Sequence, residues 1–99
     1  MQIDNPEYSK PRQVAPLIEA LFHDSSDSVR FQVDVSGRAV DASITRQALR
    51  HRFAAGDAPA DLLSSYRTHC LPIHAMVMRR LSEGALAPVM LREAHFQQP

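Results

Sequence analysis

The sequence predicts an α+β fold: a small three-stranded antiparallel sheet, made of a hairpin plus a C-terminal strand, covered on one face by helices in the order α-β-β-α-α-β. Three observations carry this. Two neighbouring stretches alternate apolar and polar residues with a period of two, a later stretch repeats its apolar residues on a helical period, and a short β-rich run follows near residue 90. Met1 to Pro11 holds two prolines and few apolar groups, so residues 1–11 read as a flexible lead-in and 12–96 as a single domain.

Val14, Leu17, Ile18, Leu21 and Phe22 recur at helical spacing and predict the first helix, with Pro16 in its first turn. His23 to Ser28 is a polar break rich in turn formers. Val29, Phe31, Val33 and Val35 then alternate with Arg30, Gln32 and Asp34, and Val40, Ala42 and Ile44 alternate in the same way. With Ser36 and Gly37 at the centre of a tight turn, Val33 faces Val40, Phe31 faces Ala42 and Val29 faces Ile44. The opposite face sets Gln32 beside Asp41 and Arg30 beside Ser43. A slip of one residue would set core-facing against solvent-facing side chains, so the pattern fixes the register.

Thr45 is an N-cap for a short helix whose inward side is Ala48, Leu49 and Phe53. Ala55 to Pro59 breaks it. A longer helix follows from Pro59 or Ala60, with Leu62, Tyr66, Ile73, Val77 and Leu81 as its apolar stripe and Gly84 as its C-terminal cap. Pro72 falls inside that stripe and predicts a kink. Pro88 to Arg92 reads as the closing strand.

Val29-Arg30-Phe31, the strand through Val40, Ser43 to Phe53 and the closing run Val89 to Phe96 together resemble a bacterial family, domain of unknown function 1488. Its members share a "V-R-F" strand, a hairpin, an "I-[ST]-R-x-A-L-x-x-x-F" segment, a long helix and a last strand. The resemblance covers about two-thirds of the chain, residues 29 to 96. It implies a small α+β fold and brings no catalytic residues with it. Two departures stand out: the lead-in helix, Arg12 to Phe22, is longer than the family pattern, and Pro72 interrupts a helix usually built without proline.

Composition narrows the function classes. The chain has 99 residues, 44% of them hydrophobic, which excludes a disordered or collagen-like polymer. Eleven basic residues balance eleven acidic ones, so the broad positive field of a general nucleic-acid binder is missing. No apolar run reaches the length of a membrane span, and one cysteine suits a reducing, cytoplasmic setting.

Four constellations could carry chemistry. Cys70 and His74 lie one helical turn apart and could share a metal ion, but a zinc shell needs three or four ligands and no further one is at hand. As a nucleophile and base the same pair is disfavoured, because a thiol in mid-helix finds its neighbouring N–H groups already bonded. His69 reads as an imidazole at the core edge. Arg46 and Arg50, one turn apart, with Arg52 beside them, could reach phosphates or base edges. Asp34 and Asp41 flank the hairpin on a solvated face and give no case for a general acid–base pair. Met76, Met78 and Met90 read as core fillers, and three glycines leave no phosphate-cradling loop. The sequence therefore points to a non-enzymatic binding or assembly module without a cofactor, acting through a protein partner or as a homo-oligomer. Nucleic-acid binding by Arg46, Arg50 and Arg52 and a metal or thiol site at Cys70 and His74 are the alternatives.

Overall fold

The computed structural model describes residues 19–96. In chain order these form β1 (Leu21–His23), β2 (Ser28–Val35), β3 (Arg38–Thr45), α1 (Arg46–Phe53), α2 (Pro59–Thr68), α3 (Cys70–Ser82), β4 (Val89–Leu91) and a 3-10 turn, Glu93–Phe96. The expected lead-in, 1–11, and the helix positions Val14, Leu17 and Ile18 lie outside the described residues.

The hairpin has the register that its alternation demands: Val33 opposite Val40, Phe31 opposite Ala42, Val29 opposite Ile44. Ser36 and Gly37 both take positive φ, 53° and 85°, the requirement of the primed turns that match strand twist. Asp34 stabilises the turn by accepting the Gly37 N–H at 2.9 Å.

The sheet has four strands, not three, in the order β1-β2-β3-β4, and it is mixed. Leu21 and Phe22, expected to end a helix, lie instead in β1, antiparallel to β2 with Phe22 opposite Val29. The pair continues the helical spacing of residues 14, 17 and 18, whereas in this short strand only Phe22 turns to the core and Leu21 faces outward, which leaves no alternation to read. The polar break of Asp24 to Asp27 is a tight reversal, with the Asp27 N–H on the Asp24 carbonyl and Asp27 at φ 53°. At the other edge β4 runs parallel to β3, Ala42 opposite Val89 and Ile44 opposite Leu91, where an antiparallel closing strand was expected. A parallel neighbour needs a crossover that carries the chain back along the sheet, and the three helices supply it.

Thr45 caps α1 as its residue type suggests, its hydroxyl accepting the Ala48 N–H at 3.1 Å. The kinked long helix is in fact two helices, α2 and α3, that part at His69 (φ −112°, ψ 24°). Pro72 is the third residue of α3, inside the first turn, where a missing N–H removes no helical bond. Gly84, at φ 101°, ends α3 with its N–H on the Leu81 carbonyl.

All three helices pack on one face of the sheet. Val29, Phe31, Val33, Ala42, Ile44, Val89 and Leu91 meet Ala48 and Leu49 of α1, Leu62 and Tyr66 of α2, and Ile73 and Val77 of α3. Phe31 stands at the centre, its ring 4.6 Å from Tyr66 and 5.4 Å from His74. The helices therefore bury one side of the sheet and leave the other side without cover among the described residues.

Candidate functional site

The uncovered face is built by the residues that alternate with the core. Leu21 stands opposite Arg30, Arg30 opposite Ser43, and Ser43 opposite Met90, so one row crosses all four strands. Leu21 and Met90 are each 47% exposed. Around the middle of this row lies a groove of about 290 Å³, lined by Ser26, Arg30, Asp41, Ser43, Pro88 and Met90 among others. Asp41 accepts a hydrogen bond from the Gln32 amide at 2.8 Å. Arg30 forms no ion pair among the described residues. Met78 of α3 is likewise 48% exposed. Of the three methionines expected as core fillers, only Met76 packs against the core.

The three arginines of the nucleic-acid reading are engaged at the surface by partners in the same chain. Arg46 reaches Asp27 at 2.7 Å, the Asp57 carbonyl at 2.6 Å and the Asp57 carboxylate at 3.1 Å, with its guanidinium 5.4 Å from the Phe22 ring centroid. The hydrogen bond to Asp27 and then that to Asp57 hold its pKa above the usual arginine value. Arg46 thus ties the β1–β2 turn, the start of α1 and the α1–α2 loop together. Arg50 shares Asp57 at 3.6 Å, and Arg52 donates to the Phe96 carbonyl at 2.8 Å. The helix places the first two side by side, while Arg52 points towards the 3-10 turn.

Cys70 is the first residue of α3, half-buried against the core, so the mid-helix objection to its reactivity does not describe this chain. What engages the expected partner is Tyr66: its hydroxyl lies 2.6 Å from His74 Nε2. Burial lowers the His74 pKa and, as the main cause, pushes the Tyr66 phenol up to about 12. Both shifts favour the uncharged forms, so a neutral phenol and a neutral imidazole share this hydrogen bond. Among the described residues no group of three or more His, Cys, Asp or Glu side chains is placed to hold a metal ion. A second depression, of about 240 Å³, lies between α1 and α2 with Asp61, Ser65 and His69 on its wall. Its serine and imidazole are not bonded: the Ser65 hydroxyl has no hydrogen-bond partner among the described residues, and the His69 ring lies tilted 4.9 Å from Phe53.

Residues 19–91 match the family described as Protein of unknown function (DUF1488). The chain belongs to that family. No curated protein and no solved structure matches it. In this DUF1488 chain the segment that carried the resemblance has a structural account residue by residue. Ile44, Ala48 and Leu49 are fully buried, Thr45 is the cap and Arg46 is the ion-pair node. The match also takes in β1, which the residues first quoted for the likeness left out. Sequence reasoning set Arg30 beside Ser43 but left Met90 in the core. Only β4 lying parallel beside β3 brings Arg30, Ser43 and Met90 into one row of the DUF1488 sheet. No helix among the described residues is long and apolar enough to cross a membrane.

Proposed function

We propose that this DUF1488 protein is a non-enzymatic binding module whose working surface is the uncovered face of its sheet. The observation that supports it is the row Leu21–Arg30–Ser43–Met90, in which a cation with no ion pair among the described residues stands between two half-exposed apolar side chains. Arginine and methionine are enriched in protein interfaces, and a groove of this kind gives both a seat. The nucleic-acid alternative has less behind it, because Arg46 and Arg50 are engaged by Asp27 and Asp57. The thiol and metal alternatives have only Cys70, with His74 occupied by Tyr66.

Site-specific photo-crosslinking in expressing cells tests this reading. A photoreactive side chain at Met90 should give a discrete protein adduct, and the same probe at Leu71, 79% exposed on α3, should not. Adducts from both positions alike, or none from Met90, would overturn it.

A further inference from the structure

Resting on that reading, we infer that the uncovered face takes a second copy of this chain, paired about a twofold axis that sets Arg30 of each copy over Asp41 of the other. The argument is one of self-complementarity. A twofold contact must match a surface to itself, so every cation needs an anion of the same face across the axis. Arg30 on β2 and Asp41 on β3 stand on neighbouring strands and on the same face, two pairing positions apart, since Gln32 faces Asp41 and Arg30 faces Ser43.

On a sheet lattice with strands about 4.8 Å apart and a rise of about 3.4 Å per residue, these two positions lie roughly 8 Å apart on the diagonal. Two sheets meet face to face about an axis in the plane between them. The axis that exchanges Arg30 and Asp41 is the perpendicular bisector of that diagonal. On the same lattice it passes within about 2 Å of Met90, so the two Met90 side chains meet across it. It also brings Leu21 close to Ala39 of the second copy, and Ala39 is exposed on this face. One axis therefore satisfies the charge pair twice and covers both half-exposed apolar groups. The formal net charge of zero adds no long-range repulsion between copies.

The sheet edges serve such a contact less well than the face, because β1 and β4 have three residues each and offer short backbone ladders. The area sets the strength. The two long strands have eight residues each, about 27 Å, and the two edge strands three each, about 10 Å. At about 4.8 Å of width per strand that gives roughly 360 Å² of projected face, under half the roughly 800 Å² per partner of a standard interface. The dimer is accordingly weak, dissociating in the micromolar range or above.

Sedimentation equilibrium from about 10 μM to about 1 mM, a range chosen for an interface of this size, tests the inference. The parent should show a monomer–dimer equilibrium. Arg30→Asp alone and Asp41→Arg alone should each weaken it by about tenfold or more, since each sets like charges together twice. An equimolar mixture of the two variants should associate again, because each heterodimer contact then pairs opposite charges. Restored association also shows that both variants are folded, and Arg30→Gln with Asp41→Asn supplies a milder pair that should weaken the dimer without reversal. A monomeric parent, a mixture that stays monomeric, or a dimer abolished by Leu71→Asp but untouched by Arg30→Asp would overturn the inference. A monomeric parent that still gives a Met90-dependent adduct larger than two chains would leave the binding-module reading standing with a different occupant.

Discussion

Replacing Tyr66 with phenylalanine removes one oxygen and leaves the ring on Phe31. The hydroxyl lies 2.6 Å from His74 Nε2, inside a core where Tyr66 is 7% exposed. A net intramolecular hydrogen bond contributes about 0.5–1.5 kcal/mol, and the half-buried His74 can take water in place of the hydroxyl, which holds the cost to about 1 kcal/mol. For a domain of this size that lowers Tm by about 4–8 °C. The pH dependence is the more discriminating signature. Folding raises the Tyr66 pKa from 10.0 to about 12, so above pH 10 the unfolded chain releases a proton that the folded chain keeps. The parent therefore loses stability as pH rises from 10 towards 12, while the phenylalanine variant has no such limb at this position. Urea titrations at pH 7, 10 and 11 should show a gap that is full at neutral pH and narrows beyond pH 10. A variant as stable as the parent at pH 7, or a gap unchanged across the alkaline range, would refute the assignment of a buried phenol hydrogen-bonded to His74.

Three further outcomes are expected. His74 has a folded pKa below the usual 6.5 because it is buried; the unfolded chain then binds the extra proton, and thermal melts should show stability falling as pH drops below 6.5, a fall that His74→Gln reduces. Thr45→Ala removes the hydroxyl that accepts the Ala48 N–H and should cost about 1 kcal/mol by denaturant titration. Arg46→Ala should destabilise the fold, and a cycle with Asp27→Ala should reveal coupling that weakens with added salt; additive effects would show that the 2.7 Å contact contributes nothing.

How much was legible follows from how many residues each element uses to state its pattern. The hairpin states it over eight residues on each strand, and every apolar pair from Val29–Ile44 to Val33–Val40 repeats the same register. Thr45 and Gly84 are local signals that need no tertiary context. β1 was hidden because Leu21 and Phe22 fit a helix face as well as a three-residue strand, and its only other mark is a turn that reads as a break. The direction of β4 is not written in Val89-Met90-Leu91 at all; it is set by the crossover that returns the chain over the inner face. The α2–α3 boundary rests on the backbone at His69, while Pro72, the visible punctuation, lies where it disturbs nothing. The candidate surface inherited these gaps. Arg30 was placed outward correctly, but Met90 joins its row only through the parallel pairing, and the arginines singled out by type are engaged by Asp27, Asp57 and the Phe96 carbonyl, which only the fold brings to them.

The position of β4 has a consequence for synthesis. Strand β3 keeps one bare backbone edge until Val89 to Leu91 arrives, and that strand is among the last stretches of the described domain to leave the ribosome. The nascent chain can zip its hairpin early, yet it must carry an open ladder beside Ala42 and Ile44 through translation of all three helices. That interval is when a growing polypeptide of this kind is most exposed to aggregation and most in need of a chaperone.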